Sequence, residues 1–215
     1  MQFSRLPEAI SEALIIHSNQ KRKGGLYKVP YSCHILQVVG LVLEYNGSED
    51  EAIAACFHDA IEDQGGLAMA AALELKWGKK IIDIVRECSL DKAPKDATPE
   101  EKVKFLITQR EKYLEHLSVA SESALRVSCA DKLHNLRSLW KDMRMCGEKE
   151  FDNFKGGKSV VLWYFWELSK AFKNLPYDFS LNIGIEMQKI LVLIETSADT
   201  SFLFKELKNV NTATI

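Results

Sequence analysis

Apolar side chains recur every three or four positions along almost the whole chain, and no convincing run alternates between apolar and polar residues. This spacing is typical of amphipathic helices, because an α-helix repeats about every 3.6 residues. Small or turn-forming residues interrupt the pattern at Asn46-Gly47, Gly65-Gly66 and Gly78. The pattern therefore predicts an all-α fold.

Capping signals and breaks set the predicted helix bounds. Thr98-Pro99-Glu100-Glu101 has the form of a capping box with proline at the first helical position. Helices are predicted over residues 7–20, 31–45, 49–63, 67–75, 79–88, 98–117, 123–143, 159–172 and 183–195. Polar loops are predicted over residues 89–97 and 147–158, and the terminal NVNTATI is expected to fray.

Composition narrows the class of protein. The 215 residues, 47% apolar and 27% charged, are sufficient for one compact domain over residues 1–215, and neither a repeat nor a linker divides them. The net charge of −2 does not favour a long nucleic acid. No apolar stretch approaches the roughly 18 residues of a membrane span. Five scattered cysteines without a CxxC pair are typical of free thiols, so we expect a cytoplasmic protein, and a homo-oligomer is left open.

The segment ACFHDAIED carries polar residues that its helical pattern does not explain. His58 and Glu62 lie one turn apart, as do Asp59 and Asp63. If one helix runs to residue 63, these acids lie at its negative end, where a bound cation would offset their cost. The alternative interpretation is a solvated loop that follows an ordinary core histidine.

Two further polar residues favour the metal interpretation. His34 lies among apolar residues in YSCHILQVV, and Asp131 lies inside the amphipathic segment ALRVSCADKLHNLRSLW. Two imidazoles and two carboxylates from three helices would suit an octahedral manganese, iron or other first-row divalent ion. The absence of thiolates in this set argues against a structural zinc site.

Other polar and aromatic residues of the chain are weaker candidates for substrate binding. Asn135 and Ser138 follow Asp131 on one helical face and are candidates for lining a pocket, although surface positions are equally compatible with the spacing. His134 lies off that face, on the surface or behind a ligand. His17 and His116 lie in polar surroundings and are given no role. The aromatic run at residues 163–166 is more typical of core than of base stacking.

The motif order resembles a known family. An Arg-Lys pair, then PYSCH, HDAIED and ADKLHNLR resemble the hydrolase domain of RelA/SpoT-type alarmone enzymes, a branch of the HD superfamily that includes small stand-alone alarmone hydrolases. The match covers residues 21–139, and helices 159–195 are expected to pack on this core. The resemblance implies a helical HD bundle, one Mn²⁺ ion and removal of the 3′-pyrophosphate from guanosine tetra- or pentaphosphate.

The resemblance also implies roles for individual residues. It implies metal ligands at His34, His58, Asp59 and Asp131, a catalytic acid pair at Glu62 and Asp63, and substrate contacts at Arg22, Lys23, Asn135, Arg137 and Ser138. The loop at residues 24–29 is longer than in the alarmone enzymes and borders the expected base pocket. No synthetase domain fits in the remaining residues, so synthesis is not expected.

Two alternative functions differ from alarmone hydrolysis. The same fold could hydrolyse another nucleotide, such as a nucleoside monophosphate, a deoxynucleotide or an NADPH-like 2′-phosphorylated dinucleotide. A catalytically idle nucleotide-binding module is the third possibility. It is disfavoured by Glu62 and Asp63, because a binding module has no need of carboxylates that repel phosphate.

Overall fold

The computed structural model describes residues 3–89 and 98–197, which are mostly helical. Its helices are α1 (Leu6–Ile16), α2 (Ser32–Glu44), α3 (Glu49–Phe57), α4 (Ala60–Gln64), α5 (Gly66–Trp77), α6 (Lys79–Cys88), α7 (Pro99–His116), α8 (Glu122–Cys146), a 3-10 helix (Gly147–Asn153), α9 (Gly157–Lys173) and α10 (Asp178–Thr196). Extended pairing in the described ranges is one isolated bridge between Lys21 and Pro30. The predicted all-α class is confirmed.

Side-chain caps fix where several helices begin. Ser48 accepts the N–H of Glu51, and the Glu51 carboxylate accepts the N–H of Ser48 at 2.6 Å, so α3 starts with a complete capping box. Thr98 and Glu101 form the same arrangement at the start of α7, as predicted. Each cap contributes about 1 kcal/mol. Gly147 ends α8 with φ +70°, a conformation that costs little for glycine alone.

Helix α3 lies at the centre of the bundle and packs against α1, α2, α6 and α8. Its Ala52, Ala54 and Ala55 are fully buried, and their small side chains let neighbouring helices approach closely, while Ile53 and Phe57 fill the space beside them. Helix α8 packs in turn against α2 and α10. The carboxyl end of α3 therefore meets the first turn of α2 and the middle of α8 inside the core.

Several predicted bounds need correction. The single helix predicted over residues 49–63 is wrong, because a turn at His58-Asp59 separates α3 from α4. The predicted loop over residues 147–158 contains a 3-10 helix, and the last helix is longer than predicted, beginning at Asp178. The predicted loop at 89–97 lies mostly, and the frayed end wholly, outside the described residues. Within the described part of the chain, no helix has the length and apolar character of a membrane span.

Candidate metal centre and active site

The four predicted metal ligands lie together where α2, α8 and the turn between α3 and α4 meet. Nε2 of His34 lies 3.0 Å from Nε2 of His58, 3.2 Å from Oδ1 of Asp131 and 3.5 Å from Oδ2 of Asp59. Nε2 of His58 lies 3.0 Å from the same Asp59 oxygen and 3.7 Å from the Asp131 oxygen. Adjacent ligands of an octahedral ion with 2.1 Å bonds are about 3.0 Å apart. The spacing therefore fits one small divalent cation.

The turn between α3 and α4 allows His58 and Asp59 to face the same point. Consecutive residues of a continuous helix point about 100° apart, whereas at this turn Nε2 of His58 lies 3.0 Å from Oδ2 of Asp59. The break also corrects the charge argument made from the sequence. Glu62 and Asp63 lie in the first turn of the five-residue α4, not at the carboxyl end of a long helix, so the expected clash with a helix dipole does not occur there.

Hydrogen bonds behind the two imidazoles orient them. Nδ1 of His58 faces the carbonyl oxygen of Ala55 at 2.8 Å, which places its proton there and leaves the Nε2 lone pair directed at the cluster. Nδ1 of His34 faces Nδ1 of His134 at 2.6 Å. His134 is buried, and burial followed by the charges of His34 and Arg22 lowers its pKa to about 3. His134 therefore supports a ligand from behind, one of the two positions predicted for it.

The charges of the cluster also fit a cation. Burial alone would lower the pKa of His58, but Asp59 and Asp131 raise it well above its ordinary value. Burial alone would raise the pKa of Asp131, but Lys132 and the neighbouring histidines hold it well below its usual range. Two imidazole nitrogens only 3.0 Å apart repel each other unless a proton or a cation lies between them. His34, His58, Asp59 and Asp131 are thus suited to hold a divalent ion.

The cluster opens into a cavity of about 370 Å³. Six acidic side chains line its wall, Asp59, Glu62, Asp63, Asp131, Asp142 and Glu150, and five basic ones, Lys21, Arg22, Lys23, Arg110 and Lys132. The volume is within the range of small-molecule sites. Acids that can handle a proton and cations that can hold a phosphate therefore share one space beside the candidate metal centre.

Four of the five predicted substrate-contacting residues line this cavity: Arg22, Lys23, Asn135 and Ser138. The guanidinium of Arg22 donates to Oδ1 of Asn135 at 2.6 Å, and Nδ2 of Asn135 donates to Oδ1 of Asp131 at 2.5 Å. The structure places Arg137 differently. Its guanidinium forms a two-point ion pair with Glu186 on α10, and it is not among the residues that line the cavity.

Tyr31 lines the cavity and His17 packs on its ring, although neither residue was assigned a role from the sequence. His17 was expected in polar surface surroundings but is only 2% exposed, because the chain folds back after α1 and places its ring on that of Tyr31, with centroids 5.0 Å apart. The hydroxyl of Tyr31 donates to Oδ2 of Asp59. The motif PYSCH contained the signal for Tyr31, whereas nothing in the local pattern identified His17.

Two basic residues that line the cavity, Arg110 and Lys132, were not predicted from the sequence. Nζ of Lys132 lies 2.6 Å from Oδ2 of Asp131, and it belongs to the ADKLHN motif that was examined for other residues. Arg110 stacks over Tyr164 at 4.5 Å and donates to the carbonyl oxygen of Val160 at 3.1 Å, and burial lowers its pKa. Arg110 lies on an amphipathic helix with no motif to mark it. Tyr164 is buried, as expected for the aromatic run, and also lines the cavity.

Comparison with protein families identifies the family to which this chain belongs. A family model described as an HD domain matches residues 9–150. The chain belongs to the HD-domain family. This HD-domain protein is 32% identical over 148 residues to the guanosine-3′,5′-bis(diphosphate) 3′-pyrophosphohydrolase MESH1 of Xenopus tropicalis, an alignment that covers 64% of the chain and 75% of the relative. It is 30% identical over 129 residues to a GTP pyrophosphokinase of Myxococcus xanthus, covering 58% of the chain and 16% of that relative.

Solved structures share the fold of this HD-domain protein. A metazoan ortholog of SpoT that hydrolyses ppGpp superposes with a TM-score of 0.67 at 22% identity, covering 88% of this chain and 95% of the other. The protein lmo0812 of Listeria monocytogenes EGD-e superposes with a TM-score of 0.61 at 18% identity, covering 81% and 99%. The predicted HD fold and the predicted relationship to metal-dependent alarmone hydrolases are confirmed.

Proposed function

We propose that this HD-domain protein hydrolyses the 3′-pyrophosphate of guanosine tetraphosphate, or of a related purine nucleotide, with one bound divalent ion. We call His34, His58, Asp59 and Asp131 the ligand cluster. The observation that carries the proposal is the cavity beside it, which is also lined by the acids Glu62 and Asp63 and by the basic pair Arg22 and Lys23. The named activity of MESH1, a relative matched over three quarters of its length, supports the choice of substrate.

The row of polar residues on α8 gives the substrate a direction. Asp131, Asn135 and Ser138 follow one helical face away from the ligand cluster, over about 10 Å at 1.5 Å per residue. A pyrophosphate at the Asp131 end would leave the ribose beside Asn135. The base would then lie towards Ser138 and Arg22, whose planar guanidinium can stack on a purine.

The residues of the chain supply the proton transfers and the charge stabilisation. In the proposed reaction, water adds to the phosphorus bonded to the 3′ oxygen, the O–P bond breaks, and pyrophosphate leaves a nucleotide with a free 3′-hydroxyl. Glu62 or Asp63 accepts the proton of the water, and the 3′ oxygen gains a proton. Lys132, whose Nζ lies 2.6 Å from Oδ2 of Asp131, stabilises the negative charge that spreads over the phosphoryl oxygens.

The ion proposed for the cluster is Mn²⁺. A mixed set of imidazole and carboxylate ligands suits manganese and other first-row divalent ions. When bound, such an ion would supply Lewis acidity that polarises a phosphoryl oxygen and acidifies water. The substrate is a small nucleotide and not a long nucleic acid. We place the reaction in the cytoplasm, where free thiols persist, because the five cysteines form no disulfide.

The proposal is tested by following release of pyrophosphate from guanosine tetraphosphate by purified protein with and without Mn²⁺. Asp59→Ala removes a proposed metal ligand, so we expect the number of Mn²⁺ ions bound per chain to fall from about one towards zero. The value of kcat/KM should fall by about 10³-fold or more, since loss of Lewis acidity costs several kcal/mol. Asp83→Ala is the matched control, because Asp83 lies on α6 and pairs with the exposed Lys79.

A panel of substrates separates the alternatives. Guanosine and adenosine 3′-pyrophosphates, a nucleoside monophosphate, a deoxynucleoside triphosphate and NADPH are compared at equal concentration. Turnover restricted to one of the last three would replace the proposed substrate with that nucleotide. Thermal stabilisation by the nucleotides without any product, or full activity of Asp59→Ala, would contradict the proposal.

A further inference from the structure

The side chain of Gln20 links the end of α1 to the acid pair. Its Nε2 donates to Oδ2 of Asp63 at 2.7 Å, and its Oε1 accepts from Nε2 of Gln64 at 2.5 Å. The same oxygen lies 2.7 Å from Nδ1 of His17. The backbone of Gln20 is also held, because its N–H donates to the carbonyl of His17 and its carbonyl accepts the N–H of Tyr31. Both ends of the side-chain amide are therefore fixed.

His17 and Asp63 contact opposite ends of this amide. Burial lowers the pKa of His17, so near neutral pH the ring is uncharged and carries one proton. An ionised carboxylate can only accept, so a reversed amide would set the Gln20 oxygen against the Asp63 oxygen. With the amide oxygen facing His17 at 2.7 Å, the proton of the neutral ring lies on Nδ1 and holds that oxygen. The observed orientation, in which Gln20 donates to Asp63, is the stable one.

Asp63 lies on a short element of the fold. Helix α4 has five residues and is followed by Gly65, and the Asp63 side chain is exposed. A short helix supplies few internal hydrogen bonds and little packing, so side-chain contacts such as the one from Gln20 contribute to the position of this carboxylate. A catalytic group must be held close to its working geometry, and a displacement of about 1 Å can cost 10²-fold in rate.

We propose that Gln20 is a positioning residue for the reaction: its amide, contacted by His17 at the oxygen, holds the Asp63 carboxylate towards the cavity. This inference rests on the proposed hydrolytic function. Gln20 acts through Asp63 and needs no contact of its own with the reacting phosphorus. Its removal should therefore slow the chemical step while leaving the ligand cluster and the basic pair, which hold ion and substrate, unchanged.

The test compares two substitutions of similar shape at this position. Gln20→Met removes the amide but keeps the length of the side chain, and we expect kcat to fall 10- to 100-fold. KM, the affinity for Mn²⁺ and the melting temperature should stay within about twofold, or a few degrees, of wild type. Gln20→Glu sets a carboxylate against Asp63, so its kcat at neutral pH should fall at least as far as that of Gln20→Met.

Substitutions at His17 give a rescue arm. His17→Phe keeps an aromatic ring on Tyr31 but lacks the donor, so we expect kcat to fall about tenfold. His17→Asn restores an N–H near the position of Nδ1 and should recover most of that loss. Gln188→Met is the control for the glutamine change, because Gln188 accepts from Lys173 on the α9–α10 surface and does not line the cavity.

The outcomes separate this inference from the proposed function. Wild-type kcat in Gln20→Met, measured in protein that turns over guanosine tetraphosphate, would overturn the role of Gln20 and leave the function standing. A rise in KM or a loss of bound Mn²⁺ without a fall in kcat would also overturn it. Absence of turnover by the wild-type protein loaded with Mn²⁺ would overturn both.

Discussion

The interrupted segment α3–α4 and the continuous helix α8 contribute to the same site in different ways. Segment α3–α4 breaks at His58-Asp59, so two consecutive residues face one point, with Nε2 and Oδ2 only 3.0 Å apart. Helix α8 runs unbroken from Glu122 to Cys146 and gives the cluster a single ligand, Asp131. Its remaining contribution is a row of polar residues that leads away from the cluster.

The difference shows that a broken helix and a continuous helix place functional groups in different arrangements. A break concentrates ligands at one position, because it releases consecutive side chains from the 100° rotation of the helix. A continuous helix distributes polar groups along a line at fixed intervals, which suits an extended nucleotide. In the proposed reaction, the interrupted segment would therefore hold the ion, and α8 would set the direction of the substrate.

We expect the largest effect from a residue of α8 that supports a candidate ligand on another helix. His134 on α8 contacts His34 through a 2.6 Å contact between their Nδ1 atoms. We expect His134→Asn to lower the affinity for Mn²⁺ by 10- to 100-fold, as is usual when the partner behind a metal-bound histidine is lost. Titration of the metal-free protein with Mn²⁺ measures it. His116→Asn, on α7, is the control, and equal affinities of the two variants would disprove this support.

A smaller effect should separate substrate binding from metal binding along α8. Asn135 bridges Arg22 and Asp131, so Asn135→Ala removes the hydrogen bond that holds Arg22 over the cavity. We expect KM for the nucleotide to rise about tenfold, equivalent to about 1.4 kcal/mol, with Mn²⁺ affinity changed far less. Steady-state kinetics measures KM, with Asn182→Ala on α10 as control. A loss of Mn²⁺ with unchanged KM would assign Asn135 to the ligand cluster.

The smallest effect concerns the support that α1 gives to the interrupted segment. Burial lowers the pKa of His17 below 6.5, so the unfolded chain takes up this proton before the folded chain does. His17 therefore costs no stability above pH 6.5, and its contribution to the free energy of unfolding falls as the pH drops through that value, by at most about 1.4 kcal/mol per pH unit. Urea unfolding of wild type and His17→Phe from pH 7.5 to 5.5 should show the difference between them shrinking or reversing at low pH. A constant difference would contradict the assignment of a buried neutral ring.

Helical periodicity and capping signals in the sequence predict most of the helices of the fold. The capping box at Thr98 and the helix breaks near Asn46 and Gly78 were correctly placed, because they depend on interactions within a few residues. The isolated polar residues His34 and Asp131 stood out for a similar reason, since an apolar helical face makes a single charged or polar group conspicuous. The sequence pattern and the family motifs together named four residues that the structure brings within about 4 Å of one another through the two imidazoles, and their role as metal ligands stays a prediction.

Only the tertiary structure decided three features of the site region. These are the turn at His58-Asp59, the burial of His17 and the pairing of Arg137 with Glu186. Periodicity tells which face of a helix is buried, but it does not tell which groups from distant segments meet there. Those contacts depend on how whole helices pack, through a sum of many small interactions. The amino-acid sequence thus determined the helices and the chemical types at the site, and packing determined their partners.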